Sequence, residues 1–272
     1  MTSEQDERAF RALTHQIAEA RGFACDAYKD KCLRRRIAVR MRACGVHTYD
    51  AYAALLAQDA VEYEHLLDAL TINVTKFYRN AETWDALRPL VTAAWRQRQG
   101  QFAAWSAGCA SGEEPYTIAA LLADIARQAG QEDWLARTRV DATDIDRASL
   151  ERIAAAEYPD AAFVEMPAAM VERYFTRPAP RSPVPAVKRI VHPIKNDLLR
   201  DRPPHAPYDL ILCRNVVIYF DRESQERLFV RFAESLRPGG ILVLGKVETL
   251  FGPTRDSLHL EDPRERIYRR PA

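Results

Sequence analysis

The sequence predicts an α/β protein in which a doubly wound, mostly parallel sheet follows a separate all-α domain. From the start to about Leu70, apolar residues recur at steps of three and four, which is typical of helices. Beyond Gly100, short apolar runs alternate with helical stretches, the pattern of parallel strands joined by helices. The length of 272 residues allows two cores of ordinary size.

The N-terminal half is interpreted as a small helical bundle. Leu33 and Ile37 share one helical face, Gly22 and Gly45 fall where helices should end, and Thr48 can cap the next helix. These signals predict helices throughout this part of the chain.

A division into three segments follows from the change of pattern. We assign residues 1–79 to the helical domain, residues 80–99 to a linker helix, and residues 100–272 to the α/β domain. Asn80 is the candidate cap of the linker helix, which Pro89 should disturb.

The second half contains four strand-like runs and three helical stretches in alternation. Between Pro159 and Pro207 this order breaks down, and we place a small β-subdomain insertion at about 160–195, including the β-rich run 187–194. The predicted strands are 102–107, 139–144, 208–213 and 241–245, and the predicted helices are 114–129, 146–156 and 224–236.

The composition is that of an ordinary globular protein, with 47% hydrophobic and 28% charged residues. Five scattered cysteines without a C-x-x-C pair argue against a disulfide framework and a zinc site, so no metal is expected. No apolar run approaches the ~20 residues of a membrane span, and the polar, acidic start is unlike an export signal. A cytoplasmic protein is expected.

Basic residues are concentrated between Tyr28 and Cys44, where seven Lys or Arg face the single acid Asp30. A solvated helix face is the usual interpretation of a charge run, but this imbalance favours an acidic partner, and nucleic acid is one such partner. The candidate docking residues are Arg34, Arg35, Arg36 and Arg40.

A glycine-bearing turn, Ser106–Tyr116, joins the first strand to its helix and contains Gly108 and Gly112. It matches neither G-x-G-x-x-G nor G-x-x-x-x-G-K-[ST], the patterns that leave backbone amides facing a phosphate. Glu113 and Glu114 would repel a phosphate but suit a ligand with a sulfonium and an amino group. The turn therefore indicates S-adenosylmethionine.

The second predicted strand ends at Asp144, where an acid can bind the hydroxyl pair of a ribose. Its distance along the chain from Gly112 is longer than the ~20 residues of the nicotinamide fingerprint, which also favours a nucleoside cofactor without phosphates. A glycine turn or a strand-end Asp alone is often purely structural, but the two in this order favour a cofactor site.

Four segments of the sequence match one known family: Thr71–Arg79, Trp105–Tyr116, Asp144–Asp146 and Tyr208–Phe220. Together they resemble the CheR-type chemotaxis receptor methyltransferases. The resemblance implies a class I S-adenosylmethionine-dependent methyltransferase domain, an N-terminal all-α domain and a small β-subdomain. It also implies a bacterial signal-transduction enzyme that methylates glutamates in the cytoplasmic domain of chemoreceptors, without nucleic acid or membrane insertion.

Carried over by position, the resemblance implies a set of cofactor and catalytic residues. Glu113 would face the amino or methionine end of the cofactor, Asp144 its ribose, and Asp197 with Leu198 its adenine. Tyr219 would lie near the transferred methyl group. The remaining cofactor residues implied are Asn73, Thr75, Arg79, Gly108, Asn215 and Val216.

Simpler interpretations stand beside these roles. The segment before Asn80 can simply cap a helix, and Tyr219 and Cys213 can be core residues. The chain also departs from the family, which often has Gly-His-Ser-Glu where Gly245-Lys246-Val247-Glu248 stands here.

The expected reaction is attack of an ionised glutamate oxygen on the sulfonium methyl, giving a methyl ester and S-adenosylhomocysteine. A carboxylate with a pKa of ~4.3 is already ionised in the cell, so no general base is needed. Tyr219 and a basic side chain, Arg96 or Arg98, would orient the carboxylate. Two rival hypotheses are a methyltransferase for RNA or small molecules and a non-catalytic module that binds the cofactor as a sensor.

Overall fold

The computed structural model describes residues 3–21, 23–71 and 75–272. Contacts group the chain into two compact units. One unit comprises Met1–Ile72 with Tyr219–Ser224, and the other comprises Asn73–Ile218 with Gln225–Ala272. Each unit is described by itself.

Four helices form most of the first unit, the helical unit. Their apolar stripes meet in a core that includes Leu13, Ile17, Ile37 and Leu66, each fully buried. As predicted, the Thr48 hydroxyl accepts a hydrogen bond from a backbone N–H of the following helix. The helices are α1 (Ser3–Arg21), α2 (Asp30–Ala43), α3 (Tyr49–Gln58) and α4 (Ala60–Leu70).

The segment Tyr219–Ser224 is distant in sequence from the rest of the helical unit but belongs to it. The backbone N–H of Lys29 donates to the carbonyl of Tyr219 at 2.9 Å, and that of Asp221 donates to the carbonyl of Ala27 at 2.9 Å. The rings of Tyr28 and Phe220 pack edge to face, with centroids 5.1 Å apart. This segment is therefore held by backbone pairing as well as by packing.

The second unit is built on a seven-stranded sheet with the order β3-β2-β1-β4-β5-β7-β6. The first five strands in this order are parallel, and β7 runs antiparallel to both its neighbours, β5 and β6. The order reverses direction beside β1, which confirms the predicted doubly wound, mostly parallel sheet. The strands are β1 (Ala103–Ala107), β2 (Arg139–Asp144), β3 (Val191–Lys195), β4 (Tyr208–Cys213), β5 (Leu236–Leu244), β6 (His259–Asp262) and β7 (Ile267–Arg269).

The helices of the second unit supply the core that packs on this sheet. In the first of them, Trp84, Leu87, Val91 and Trp95 lie in the core, and Pro89 is accommodated within the helix. The helices are α5 (Ala81–Gln97), α6 (Glu113–Gln128), α7 (Arg147–Ala155), α8 (Ala168–Tyr174), α9 (Pro185–Lys188), α10 (Arg222–Ser235) and α11 (Thr254–Ser257). Of α10, the part from Gln225 onward belongs to this unit.

The run 187–194 was expected inside a strand-rich insertion, and its assignment there is wrong. Val191–Lys195 forms β3, the edge strand that pairs in parallel with β2. Strand character within 156–185 is limited to the bridges Tyr158–Arg181 and Phe175–Pro183, between short helices. Pro193 is compatible with β3 because an edge strand can spare one N–H.

Within the described ranges, no helix is both long enough and apolar enough to cross a membrane.

Candidate cofactor site

The candidate site lies where β1, β2, β3 and β4 end. These strands are parallel neighbours, so the segments that follow them leave the sheet at one edge, here called the carboxyl edge. In open α/β sheets ligands bind at this edge, beside the strand where the order reverses. Most of the predicted cofactor residues follow these four strand ends.

The turn between β1 and α6 requires glycine at two positions. Gly108 has φ +75°, and a Cβ there would lie 2.7 Å from a methyl carbon of Val216. Gly112 has φ +101°, and a Cβ there would lie 2.7 Å from both Ile153 Cγ1 and Tyr158 Oη. Only a residue without a side chain fits such positions. The turn therefore brings bare backbone to the carboxyl edge.

Asp144 is buried at the end of β2 and organises the neighbouring backbone. Its Oδ2 accepts from the Ala110 N–H at 2.8 Å, and its Oδ1 accepts from the Asp146 N–H at 2.9 Å. Burial raises the pKa of Asp144, and these two N–H groups oppose the shift. The carboxylate thus links the turn after β1 to the turn after β2.

The two glutamates at the start of α6 have different surroundings. Glu113 is buried, and its Oε2 accepts from the Ser111 hydroxyl at 2.7 Å. Glu114 accepts from the Ser106 hydroxyl at 2.8 Å and lies 3.5 Å from the buried guanidinium of Arg214. Burial raises the pKa of both carboxyls, and the Arg214 charge opposes the shift at Glu114. Glu114 is thus engaged in an internal ion pair.

Arg214 also fastens the segment that precedes α5. Its guanidinium donates to the carbonyl of Arg79 and to Oδ1 of Asn80, both at 2.9 Å. Asn80 occupies the predicted cap position before α5, but its φ is 61° and its side chain makes no cap hydrogen bond. Thr75 is half-buried in this segment. Asn73 lies outside the described residues.

The segment after β4 presents an unused acceptor. Asn215 has φ +61°, and its backbone N–H donates to Glu248 Oε2 at 3.0 Å. Its side-chain Oδ1 is buried and has no hydrogen-bond partner among the described residues. The next residue, Val216, is the one that closes against Gly108. A buried acceptor without a donor marks a place where a ligand can donate.

Asp197 and Leu198 follow β3 directly. The Asn196 N–H donates to the carbonyl of Asp144 at 3.1 Å, which keeps this segment beside the end of β2. Asp197 Oδ1 accepts from the Leu199 N–H at 2.9 Å, and Leu198 is buried. Both residues thus belong to the carboxyl edge.

Tyr219 belongs to the helical unit. The guanidinium carbon of Arg36 lies 4.5 Å from the centroid of the Tyr219 ring, a cation–π arrangement. Arg36 is buried, and it donates to the carbonyl of Leu70. Burial lowers the pKa of Arg36, and the nearby Tyr219 opposes this shift. Arg36 was expected to dock a partner, and its burial corrects that expectation.

Arg34 and Arg40 are partly exposed, and each is paired with an acidic residue of the helical unit. Arg34 donates to Glu7 Oε2 at 2.5 Å, and Arg40 donates to Glu62 Oε2 at 2.5 Å. Burial would raise the pKa of Glu62, but hydrogen bonds from Arg40 and Tyr52 lower it to about 2. These guanidiniums stabilise the bundle.

One face of α2 remains basic and exposed. Lys31, Arg35 and Arg42 are exposed at helical spacing, and Val39 between them is 48% exposed. Within the described part of the chain, no ion pair joins these three cations to an acid. We call these four residues the α2 stripe. Of the four docking candidates, only Arg35 belongs to it.

Arg96 and Arg98 lie far from the carboxyl edge, which corrects their expected catalytic role. They end the helix that leads into β1, so they lie at the amino edge, where the parallel strands begin. Arg98 Nε is 3.0 Å from Oδ1 of the buried Asp209, whose Oδ2 accepts from the Ala103 N–H at 2.9 Å. Arg96 is exposed in the last turn of α5.

Family models match nearly the whole chain. The model described as the all-alpha domain of CheR methyltransferase matches residues 8–71, and its SAM binding domain matches residues 73–265. The chain belongs to the CheR methyltransferase family. It therefore carries an S-adenosylmethionine-binding methyltransferase domain, and the predicted family and fold class are confirmed.

Curated relatives of this CheR methyltransferase share about a third of its residues over most of their length. The chemotaxis protein methyltransferase of Klebsiella aerogenes is 33% identical over 256 residues, 91% of this chain and 85% of that one. Its counterpart in Listeria monocytogenes is 31% identical over 253 residues, 91% and 92% of the two chains. That of Escherichia coli is 31% identical over 249 residues, 88% and 83%.

The residues of this CheR domain fit S-adenosylmethionine at the carboxyl edge. Asp144 offers a buried carboxylate to a hydroxyl pair, and Asn215 Oδ1 offers an acceptor to an ammonium group. Gly108 and Gly112 keep side chains out of the turn between them. Glu113 adds a buried acidic group that suits a positively charged ligand.

Sequence reasoning missed two residues that hold this edge together, Arg214 and Glu248. Arg214 lies in the segment that carries the resemblance, and its place between a strand end and Asn215 was a usable signal. Glu248 ends the Gly-Lys-Val-Glu run, which differs from the family pattern by lacking its histidine. Its backbone partners are distant in sequence, so only the structure reveals them.

Proposed function

We propose that this protein transfers a methyl group from S-adenosylmethionine to glutamate side chains in the cytoplasmic domain of methyl-accepting chemotaxis receptors. The proposal is carried by membership of the CheR family, whose similar members are chemotaxis protein methyltransferases. It is supported by a carboxyl edge with acceptors for a ribose and an ammonium group.

The cofactor would be held by side chains from several strand ends. Asp144 would accept from the ribose hydroxyls, Asp197 and Leu198 would line the adenine, and Asn215 Oδ1 would accept from the ammonium group. Arg79 would pair with the methionine carboxylate, since a guanidinium binds a carboxylate in a fork. Asn73, Thr75, Gly108, Glu113 and Val216 complete the proposed site.

When bound, S-adenosylmethionine supplies a methyl group on a sulfonium, which a glutamate oxygen takes as the C–S bond breaks, leaving a methyl ester and S-adenosylhomocysteine. The protein needs no general base, because a glutamate with a pKa of ~4.3 is ionised at neutral pH. Its contribution is to hold the two reacting groups in line, which is worth ~7–11 kcal/mol in well-oriented reactions. Tyr219 is the proposed side chain beside the reacting oxygen.

The α2 stripe is the proposed docking surface for the receptor. Its three cations would attract a glutamate-rich helix, and Val39 offers an apolar contact among them. Arg34 and Arg40 are left out of this surface because each already pairs with a glutamate of the helical unit, and Arg36 is left out because it is buried.

The deciding experiment measures the chemical nature of the transferred label. Purified protein is incubated with methyl-labelled S-adenosylmethionine and receptor-containing membranes, and the labelled band is treated with mild base. Release of methanol from the receptor band establishes a glutamyl methyl ester. Alkali-stable label would contradict the proposal and indicate another acceptor, and cofactor binding without transfer would indicate a sensor module.

A further inference from the structure

Glu248 is a buried carboxylate that follows β5 at the carboxyl edge. It is 3% exposed. Its Oε2 accepts from the Gly245 N–H at 2.6 Å and from the Asn215 N–H at 3.0 Å, and its Oε1 accepts from the Ile218 N–H at 3.3 Å. Among the described residues, all these donors are backbone N–H groups from two separate segments. One side chain thus ties the turn after β5 to the turn after β4.

The turn after β4 needs such a tie. Asn215 adopts a left-handed φ of 61°, which is unfavourable for a residue with a side chain unless its surroundings hold it. The bonds from Glu248 to the N–H groups of Asn215 and Ile218 span this turn from its first residue to its last. The turn then presents Asn215 Oδ1 without a partner and places Val216 against Gly108.

Gly245 is part of the same arrangement. A Cβ at this position would lie 2.6 Å from Glu248 Oε2 and 2.8 Å from the Asn215 nitrogen, so a side chain would separate the carboxylate from its donors. The Gly-Lys-Val-Glu run therefore keeps a glycine and a glutamate at its two ends for a geometrical reason. Lys246, by contrast, points elsewhere and pairs with Glu82 and Glu265 at 3.3 and 3.2 Å.

We propose that Glu248 is a positioning residue for methyl transfer, which acts by holding the turn Asn215–Ile218 in the shape that binds the cofactor. This inference rests on the proposed function. A carboxylate suits the task because both oxygens accept, whereas an amide would turn one N–H donor toward other N–H donors. Burial raises the pKa of Glu248, and the backbone N–H donors oppose the shift.

The test compares Glu248→Gln with Asp209→Asn. Asp209 is a matched control because it is also buried and accepts a backbone N–H, but at the amino edge. We expect Glu248→Gln to weaken S-adenosylhomocysteine binding at least tenfold by calorimetry and to lower kcat, with the KM for receptor little changed. Asp209→Asn should leave binding and kcat unchanged at a similar loss of thermal stability.

Two further measurements test the role of Glu248. Gly245→Ala perturbs the same contacts while keeping the carboxylate, and it should reproduce the loss of binding if Glu248→Gln does not fold. Amide hydrogen exchange of Asn215, Val216 and Ile218 should be slow in the unmodified protein and faster in either variant. Unchanged binding and exchange in Glu248→Gln, or equal loss in Asp209→Asn, would overturn the inference. An unmodified protein that lacks transfer contradicts the proposed function instead, and the exchange result still decides the role of Glu248.

Discussion

The two edges of the central sheet contain the same kinds of buried polar groups but use them differently. At the amino edge, Asp209 is satisfied by Arg98 at 3.0 Å and by the Ala103 N–H at 2.9 Å. At the carboxyl edge, Asp144 and Glu248 bind backbone N–H groups, and Asn215 Oδ1 has no partner among the described residues. Of these groups in the described part of the chain, Asn215 Oδ1 at the carboxyl edge is the acceptor left for a ligand.

The comparison of the two edges indicates that the position of a residue in the fold decides its function more than its residue type does. Arg79 and Arg98 lie at opposite ends of α5, and Arg98, where β1 is about to begin, belongs to an internal ion pair. Parallel strands place all their carboxyl ends together, so residues after strand ends meet, and residues before strand starts meet elsewhere.

The largest expected effect comes from adding a methyl group to a glycine at each edge. Gly108 and Gly239 have nearly equal φ values of +75° and +76°, but a Cβ at Gly108 would lie 2.7 Å from Val216, whereas at Gly239 no described atom lies within 4 Å. Gly108→Ala should weaken S-adenosylhomocysteine binding ~100-fold, because small misplacements of a site have effects of this size. Gly239→Ala should cost only the backbone strain of about 1–2 kcal/mol. Equal binding by the two variants, measured by calorimetry, would remove the distinction between the edges.

Asp144→Asn should produce the next largest effect. A hydrogen bond to a charged group is worth about 1.5–3 kcal/mol, so S-adenosylhomocysteine affinity should fall roughly 10- to 100-fold. Asp209→Asn is again the control at the amino edge. An Asp144→Asn protein with unchanged affinity would show that the ribose is bound elsewhere.

The pH dependence of S-adenosylhomocysteine binding gives a second test of Asp144. Burial raises the pKa of Asp144 above its ordinary 3.8, and the ionised form is the better acceptor for a hydroxyl pair. Affinity should therefore fall as pH drops through this raised pKa, and Asp144→Asn should remove about one proton from the slope. Stability should move in the opposite direction. Because the folded pKa is raised, the contribution of Asp144 is present below its unfolded pKa and is lost as pH rises through the folded one. Calorimetry and thermal unfolding over the same pH range measure both.

Two neighbouring arginines of α2 allow a similar comparison within the helical unit. Arg35 is exposed, whereas Arg36 is buried against the Tyr219 ring. Arg35→Glu should raise the receptor KM roughly tenfold, with unchanged kcat and cofactor affinity and an effect that weakens in salt. Arg36→Gln should instead lower kcat and thermal stability. If the two variants showed the same kinetics, the α2 stripe would lose its proposed role.

Much of this arrangement was predictable because strand ends are visible in the sequence. The short runs that form β1, β2 and β4 are buried almost throughout, Gly108 follows β1 directly, and Asp144 is the last residue of β2. The edge strand β3 was misassigned because it is buried only in alternation and contains Pro193. The Glu248 contacts were beyond prediction because they join backbone groups about thirty residues apart in sequence.

For the arginines of α2 and of the end of α5, the sequence did contain signals against the expected roles. Arg36 is three residues after the buried Leu33 and next to the buried Ile37, so helical spacing placed it on the inner face of α2. Arg96 and Arg98 precede the first strand by a few residues, which placed them where β1 begins. The carboxyl edge lies beyond the whole of β1, so residues that precede this strand stay at the edge where it begins.

Arg98→Gln therefore carries the smallest expected effect on catalysis. The variant removes one partner of Asp209 but keeps the Ala103 N–H and the guanidinium of Arg237, whose Nε lies 3.7 Å from Asp209 Oδ1. Arg98 is about one third exposed, with 35% of its side chain accessible, so solvent screens the pair and the stability loss should stay near 1 kcal/mol. That corresponds to a fall in Tm of about 2–4 °C. Both kcat and the receptor KM should match those of the unmodified protein. A tenfold lower kcat would restore Arg98 as a residue that orients the glutamate, and the amino edge would then have to take part in the reaction.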